Sequence, residues 1–108
     1  MTDYSKNIIK QYTYWTVYAC THQEYLGRCV IWCDRENAQN LIEANKEEME
    51  EFFEIIKELQ ISLDVSFAPD WVNYSFLGNS DPHLHCHLVP RYKKERVFEG
   101  IVFKDTRW

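Results

Sequence analysis

The chain has 108 residues, 45% of them hydrophobic and 16% aromatic, and carries a net charge of −5. That length predicts one domain over residues 1–108, and the apolar content excludes intrinsic disorder. The acidic balance argues against a nucleic-acid partner, and no apolar run approaches the roughly 20 residues that span a membrane.

Met1 to Lys10 lacks the apolar core of a signal peptide. With no secretion signal, Cys20, Cys29, Cys33 and Cys86 are expected to be reduced thiols in a cytoplasmic chain. Cys29 and Cys33 are spaced CxxxC, neither the usual zinc spacing nor a CxxC redox pair, and read as small apolar side chains.

Thr13 to Ala19 predicts a strand, because Trp15, Val17 and Ala19 alternate with Tyr14, Thr16 and Tyr18 and β-branched and aromatic types dominate. Cys20 to Gly27 is a loop, and Arg28 to Cys33 a second, mostly apolar strand that completes a hairpin. Asp34 to Asn40 is polar and irregular, with a short helical turn near Ala38 to Ile42. The clearest helix follows. Asn45 can cap it, with Glu48 completing a capping box. Met49, Phe52, Phe53, Ile56, Leu59 and Leu63 form its apolar stripe, and Glu47, Glu50, Glu51, Glu54 and Lys57 its solvated face. It should stop before Pro69.

Trp71 to Leu77 predicts a third strand, Gly78 to Pro82 a turn, and His83 to Val89 a fourth strand stopped by Pro90. Arg91, Lys93, Lys94 and Arg96 form a basic patch, and Gly100 to Lys104 a fifth short strand. Trp15, Trp32, Trp71 and Cys86 read as core, His22 as a loop residue. This order predicts an α+β domain with an antiparallel sheet of about five strands, one long helix and one short one.

His83, His85 and His87 alternate with Leu84, Cys86 and Leu88. A strand has a side-chain period of two, so the imidazoles share one face and the apolar residues enter the core. One reading is a metal site, although His83 and His87 are roughly 13 Å apart along a strand. Two of the three would then need a further ligand such as Asp81 or His22. Another reading is nucleophilic catalysis on a phosphate, for which a neutral imidazole is suited as attacking and leaving group. A neighbouring histidine can stabilise the developing charge. The turn fits this use. Gly78 permits close approach, the Ser80 hydroxyl and turn amides can hold an anion, and Asn79 adds an amide donor. Arg91, Lys93 and Lys94 would raise the local potential.

His83-Leu84-His85-Cys86-His87-Leu88-Val89 resembles the histidine-triad pattern of the HIT family of nucleotide hydrolases and transferases. Tyr25 to Val30 resembles the hairpin before that family's helices, and Gly78-Asn79-Ser80 its Gly, amide and hydroxyl triplet. Pro90-Arg91-Tyr92 and Phe103 to Trp108 resemble its later segments. The resemblance implies a HIT-like α+β homodimer that needs no cofactor and no metal. It implies His85 as the nucleophile toward the α-phosphate of a (di)nucleoside polyphosphate or nucleoside phosphoramidate, with purine nucleoside phosphates expected. His87 contacts the phosphate and assists the leaving group, and His83 orients the nucleophile through its backbone. Ser80 and Asn79 contact phosphate, and Asn73 lies near a substrate position. Two departures stand out: Glu36 where relatives often carry a further histidine, and Cys20 where they often carry an asparagine. These departures motivate a non-catalytic nucleotide-binding module as the alternative, with a metal-dependent hydrolase behind it.

Overall fold

The structure, a computed structural model, describes residues 5–108. The first four residues of the segment read for a signal peptide lie outside the described residues. Among the described residues seven strands and one α-helix follow in chain order: β1 (Ile8–Gln11), β2 (Trp15–Ala19), β3 (Cys29–Cys33), α1 (Lys46–Ser66), β4 (Trp71–Ser75), β5 (His85–Arg91), β6 (Arg96–Phe98) and β7 (Ile101–Phe103). Short 3-10 turns sit at Ser5–Asn7 and Leu41–Glu43. The main sheet has five strands in the order β1-β2-β3-β5-β4, with all neighbours antiparallel. This is the expected α+β architecture, but the fifth strand differs. β1 fills that place, and the predicted C-terminal strand, β7, pairs with β6 in a separate hairpin. Glu99 and Gly100 form its two-residue turn, both at positive φ (52° and 75°), as the twist of a tight hairpin requires.

The capping box of α1 forms as expected. The Asn45 side chain accepts from the Glu48 amide at 2.8 Å, and the Glu48 carboxylate accepts from the Asn45 amide at 2.9 Å. The buried carboxylate of Glu48 also accepts from Arg35 (3.0 and 3.1 Å) and from the Cys33 thiol (3.3 Å). Trp15 Nε1–H donates to the Glu48 carbonyl at 2.8 Å, locking the helix start onto β2. The apolar stripe needs one correction: Phe53 is exposed and Ile55 is fully buried. Each residue advances about 100° around a helix, so Phe53 lies well off the line through Phe52, Leu59 and Leu63, whereas Ile55 falls beside it. At the other end Gly27 (φ 90°) lies against the helix, where an added Cβ would stand 2.7 Å from Leu63 Cδ2.

Phe52, Ile55 and Leu63 pack with Trp15, Val17, Cys29, Ile31, Cys33, Leu84, Cys86 and Leu88 in one core. Burial pushes the Cys29 and Cys86 thiols up to about 12 and Cys33 to about 11, so all three pack as inert thiols. Trp71 is exposed, contrary to its expected place in the core, because β4 is an edge strand that turns it to the face away from α1.

Pro90 does not stop β5, which continues to Arg91. Pairing with β3 ends at Cys29 opposite Leu88, while β4 continues to pair through Val72 opposite Pro90. The Arg91 carbonyl accepts from Asp70 on the β4 side, so the missing N–H of Pro90 turns toward β3, past the end of that ladder.

Candidate active site

The register of the sheet sorts side chains onto two faces. On the face away from α1, His85 lies opposite Trp32, His87 opposite Val30 and Ser75, and Val89 opposite Asn73. His83 precedes β5 and sits in a bend, not in the strand as predicted. Its ring stacks on Trp32, with centroids 4.2 Å apart and planes 11° apart, so Trp32 supports the site and is not core.

Hydrogen bonds fix two tautomers. His83 Nε2 lies 2.6 Å from the Cys33 carbonyl, and His85 Nδ1 lies 2.5 Å from the His83 carbonyl. A carbonyl only accepts, so both ring nitrogens are N–H donors. A neutral His85 then carries its lone pair on Nε2. The His85 ring is buried and meets His87 edge-on at 5.0 Å. Burial, followed by the charges of His85 and Arg28, pushes His87 below the ordinary histidine value. His87 Nδ1 is buried with no hydrogen-bond partner.

His85 and His87 line a cavity of about 290 Å³ with Leu77, Gly78, Asn79, Ser80 and Asp81. The structure thus brings His85, His87, Ser80 and Asn79 together, with His83 behind them. Gly78 is not required by the protein's own packing: a Cβ there would meet nothing closer than 3.9 Å. Asn73 is not in this cavity. It lies on the same face farther along β4, accepts from Arg91 at 3.1 Å, and lines a second cavity of about 380 Å³ with Asp70, Trp71, Arg91, Lys93 and Trp108.

The basic patch does not reach the histidine cavity, contrary to expectation. Arg91 is four residues past His87 on β5, roughly 13 Å along the strand, and grips Asp105 in two hydrogen bonds of 2.6 and 2.8 Å. Lys93 turns over the Trp108 ring. Arg35 pairs with Glu48, and Glu36 is exposed. Among the described residues no group of three or more histidine, cysteine or acidic side chains is placed to hold a metal ion.

The HIT domain model matches residues 28–94. The chain belongs to the HIT family. Its fold agrees with solved HIT structures. A histidine triad protein from Bradyrhizobium japonicum aligns with a TM-score of 0.74 at 17% identity, over 95% of this chain and 75% of that one. A histidine triad protein from Marinobacter aquaeolei aligns with a TM-score of 0.72 at 18% identity, over 91% and 72%. In sequence, this HIT chain is 28% identical over 87 residues to a bis(5'-adenosyl)-triphosphatase of Saccharomyces cerevisiae. That match covers 76% of this chain and 42% of the yeast protein, so the HIT chain spans under half the length of the curated relatives it matches.

Sequence reasoning missed Leu77 and Asp81 as cavity walls, Trp32 as a support for His83, and Arg28 as a charge acting on His87. Trp32 and Arg28 were accessible in principle, because both fall on the histidine face once strands β3 and β5 are put in register. Asp81 was read only as part of the turn and as a possible metal ligand, and no signal in the chain marks Leu77.

Proposed function

We propose that this HIT domain cleaves a nucleoside polyphosphate at its α-phosphate through a nucleotidyl intermediate on His85 Nε2. The observation that carries the reading is the hydrogen bond from His85 Nδ1–H to the His83 carbonyl, which leaves the Nε2 lone pair beside the cavity. In the first step Nε2 attacks the α-phosphorus. A P–N bond forms, the bridging P–O bond breaks, and its electron pair leaves with the departing phosphate oxygen. The Ser80 hydroxyl, the Asn79 amide and His87 line the cavity where the non-bridging oxygens gain charge. In the second step water attacks phosphorus, the P–N electron pair returns to Nε2, and one proton is released. The products are a nucleoside monophosphate and the remainder of the substrate.

The yeast relative's name, together with the HIT membership, supports a dinucleoside polyphosphate as the substrate class. The reduced thiols fit a cytoplasmic setting. The exposed Phe53, Ile61 and Val65 on the outer side of α1, with the outer edge of β4, support pairing with a second copy of the chain.

Turnover of diadenosine triphosphate tests the catalytic reading. The intact protein is expected to release AMP and ADP. His85→Ala, with its fold checked by circular dichroism, is expected to lose at least about a thousandfold in kcat. An active alanine variant overturns the role of His85. A wild-type protein that binds AMP but turns over no nucleotide makes the domain a binding module.

A further inference from the structure

Arg28 immediately precedes β3, opposite Val89 if the ladder from Cys29–Leu88 is continued by one residue. Alternation therefore places its side chain on the histidine face, two residues along β3 from Val30, the partner of His87. Its Nε–H is buried and has no hydrogen-bond partner. Among the described residues nothing pairs with its guanidinium. Arg91, the other cation among the strand residues of this face, is held by Asp105 and Asn73. A buried, unpaired guanidinium N–H is costly, and an anion is the ligand that satisfies it best.

We propose that Arg28 binds the anionic leaving group and so selects substrates whose α-phosphate is joined to a further phosphate, over those joined to an amine. This inference rests on the catalytic reading above. The Ser80 turn closes one side of the His85–His87 cavity. Arg28 stands on the far side of His87, so a phosphate chain seated on His85 and running past His87 reaches it. Its charge is already felt there, since it helps to push the His87 pKa down. A departing phosphate gains negative charge as the P–O bond breaks, and the guanidinium stabilises that charge. A departing amine takes up a proton as the P–N bond breaks and leaves uncharged, so the guanidinium has no developing negative charge to stabilise there.

The test compares diadenosine triphosphate with adenosine 5'-phosphoramidate on wild-type protein, Arg28→Gln and Arg28→Met, with thermal melting as the fold control. Loss of the cation is expected to lower kcat/KM for the triphosphate by about tenfold or more. The phosphoramidate should be unchanged or faster. Equal losses on both substrates, or none, overturn the proposal. A binding arm separates this result from the catalytic reading. Wild-type protein is expected to bind ADP about tenfold tighter than AMP, and the neutral variants to bind both alike. If wild-type protein cleaves neither substrate, the catalytic reading fails and the binding arm alone decides Arg28. Wild-type protein that binds ADP and AMP equally overturns the proposal without any variant.

Discussion

His85 is oriented by a carbonyl two residues back, and that carbonyl belongs to a histidine pinned by two contacts of its own. His83 stacks on Trp32 and donates to Cys33, so its carbonyl is held where His85 Nδ1–H can use it. His87 sits in a different field: burial first, and then the neighbouring His85 and Arg28, oppose its protonation. In a histidine NMR titration its midpoint is therefore expected below the ordinary value. Stability should fall as pH drops from that ordinary value toward the folded midpoint, because the unfolded chain binds the proton more readily there. Arg28→Gln is expected to move the midpoint partway back up, since burial, the larger cause, remains. A midpoint that does not move separates Arg28 from His87. At this scale the alternation of His83 to Leu88 was enough to expect imidazoles on one face and Leu84, Cys86 and Leu88 in the core, and the last three are buried. The bend at His83 and the support from Trp32 depend on partners fifty residues away in sequence, which no local pattern encodes.

β5 is the element in which packing and site chemistry meet. Its core-side residues hold the sheet to α1, and its far end is tied to the C-terminal segment by Arg91 and Asp105. The guanidinium holds the Asp105 carboxyl down at about 2, against an ordinary 3.8. A depressed carboxyl stabilises the fold above its unfolded pKa and loses that contribution as pH falls through its folded pKa. The pair is therefore expected to contribute about 2 kcal/mol at neutral pH, disappearing between about pH 4 and pH 2. Asp105→Asn should lower stability by about that amount in urea unfolding at pH 7, and its curve should meet that of the wild type near pH 2. A constant difference across this range contradicts the assignment. Elements with strong local signals were legible: the Asn45–Glu48 capping box, the β2–β3 hairpin and the stop before Pro69. β1 was not, because all four of its residues are exposed and it carries no alternation. Pro90 misled because its place at the end of the β3 ladder is a matter of sheet topology. Phe53 misled because both it and Ile55 are apolar, and only the angle around the helix separates them.

Across the whole molecule, the sheet keeps α1 and the core on one side and the histidines on the other. The net charge of −5 concealed a sorting of charge. The glutamates lie along α1, while the basic segment after the histidines starts at the far end of β5, where Asp105 pairs with its first cation, Arg91. In the proposed route the anion chemistry therefore falls to Ser80, Asn79, His87 and Arg28, with Arg91 engaged by Asp105 instead. The most direct measurement is mass spectrometry of intact protein and its peptides, acid-free quenched after incubation with diadenosine triphosphate. The wild-type chain is expected to carry an adenylyl group on His85, and the His85→Ala chain none. Turnover with no adduct on His85, or an adduct that persists in His85→Ala, contradicts a nucleotidyl-histidine route through this residue.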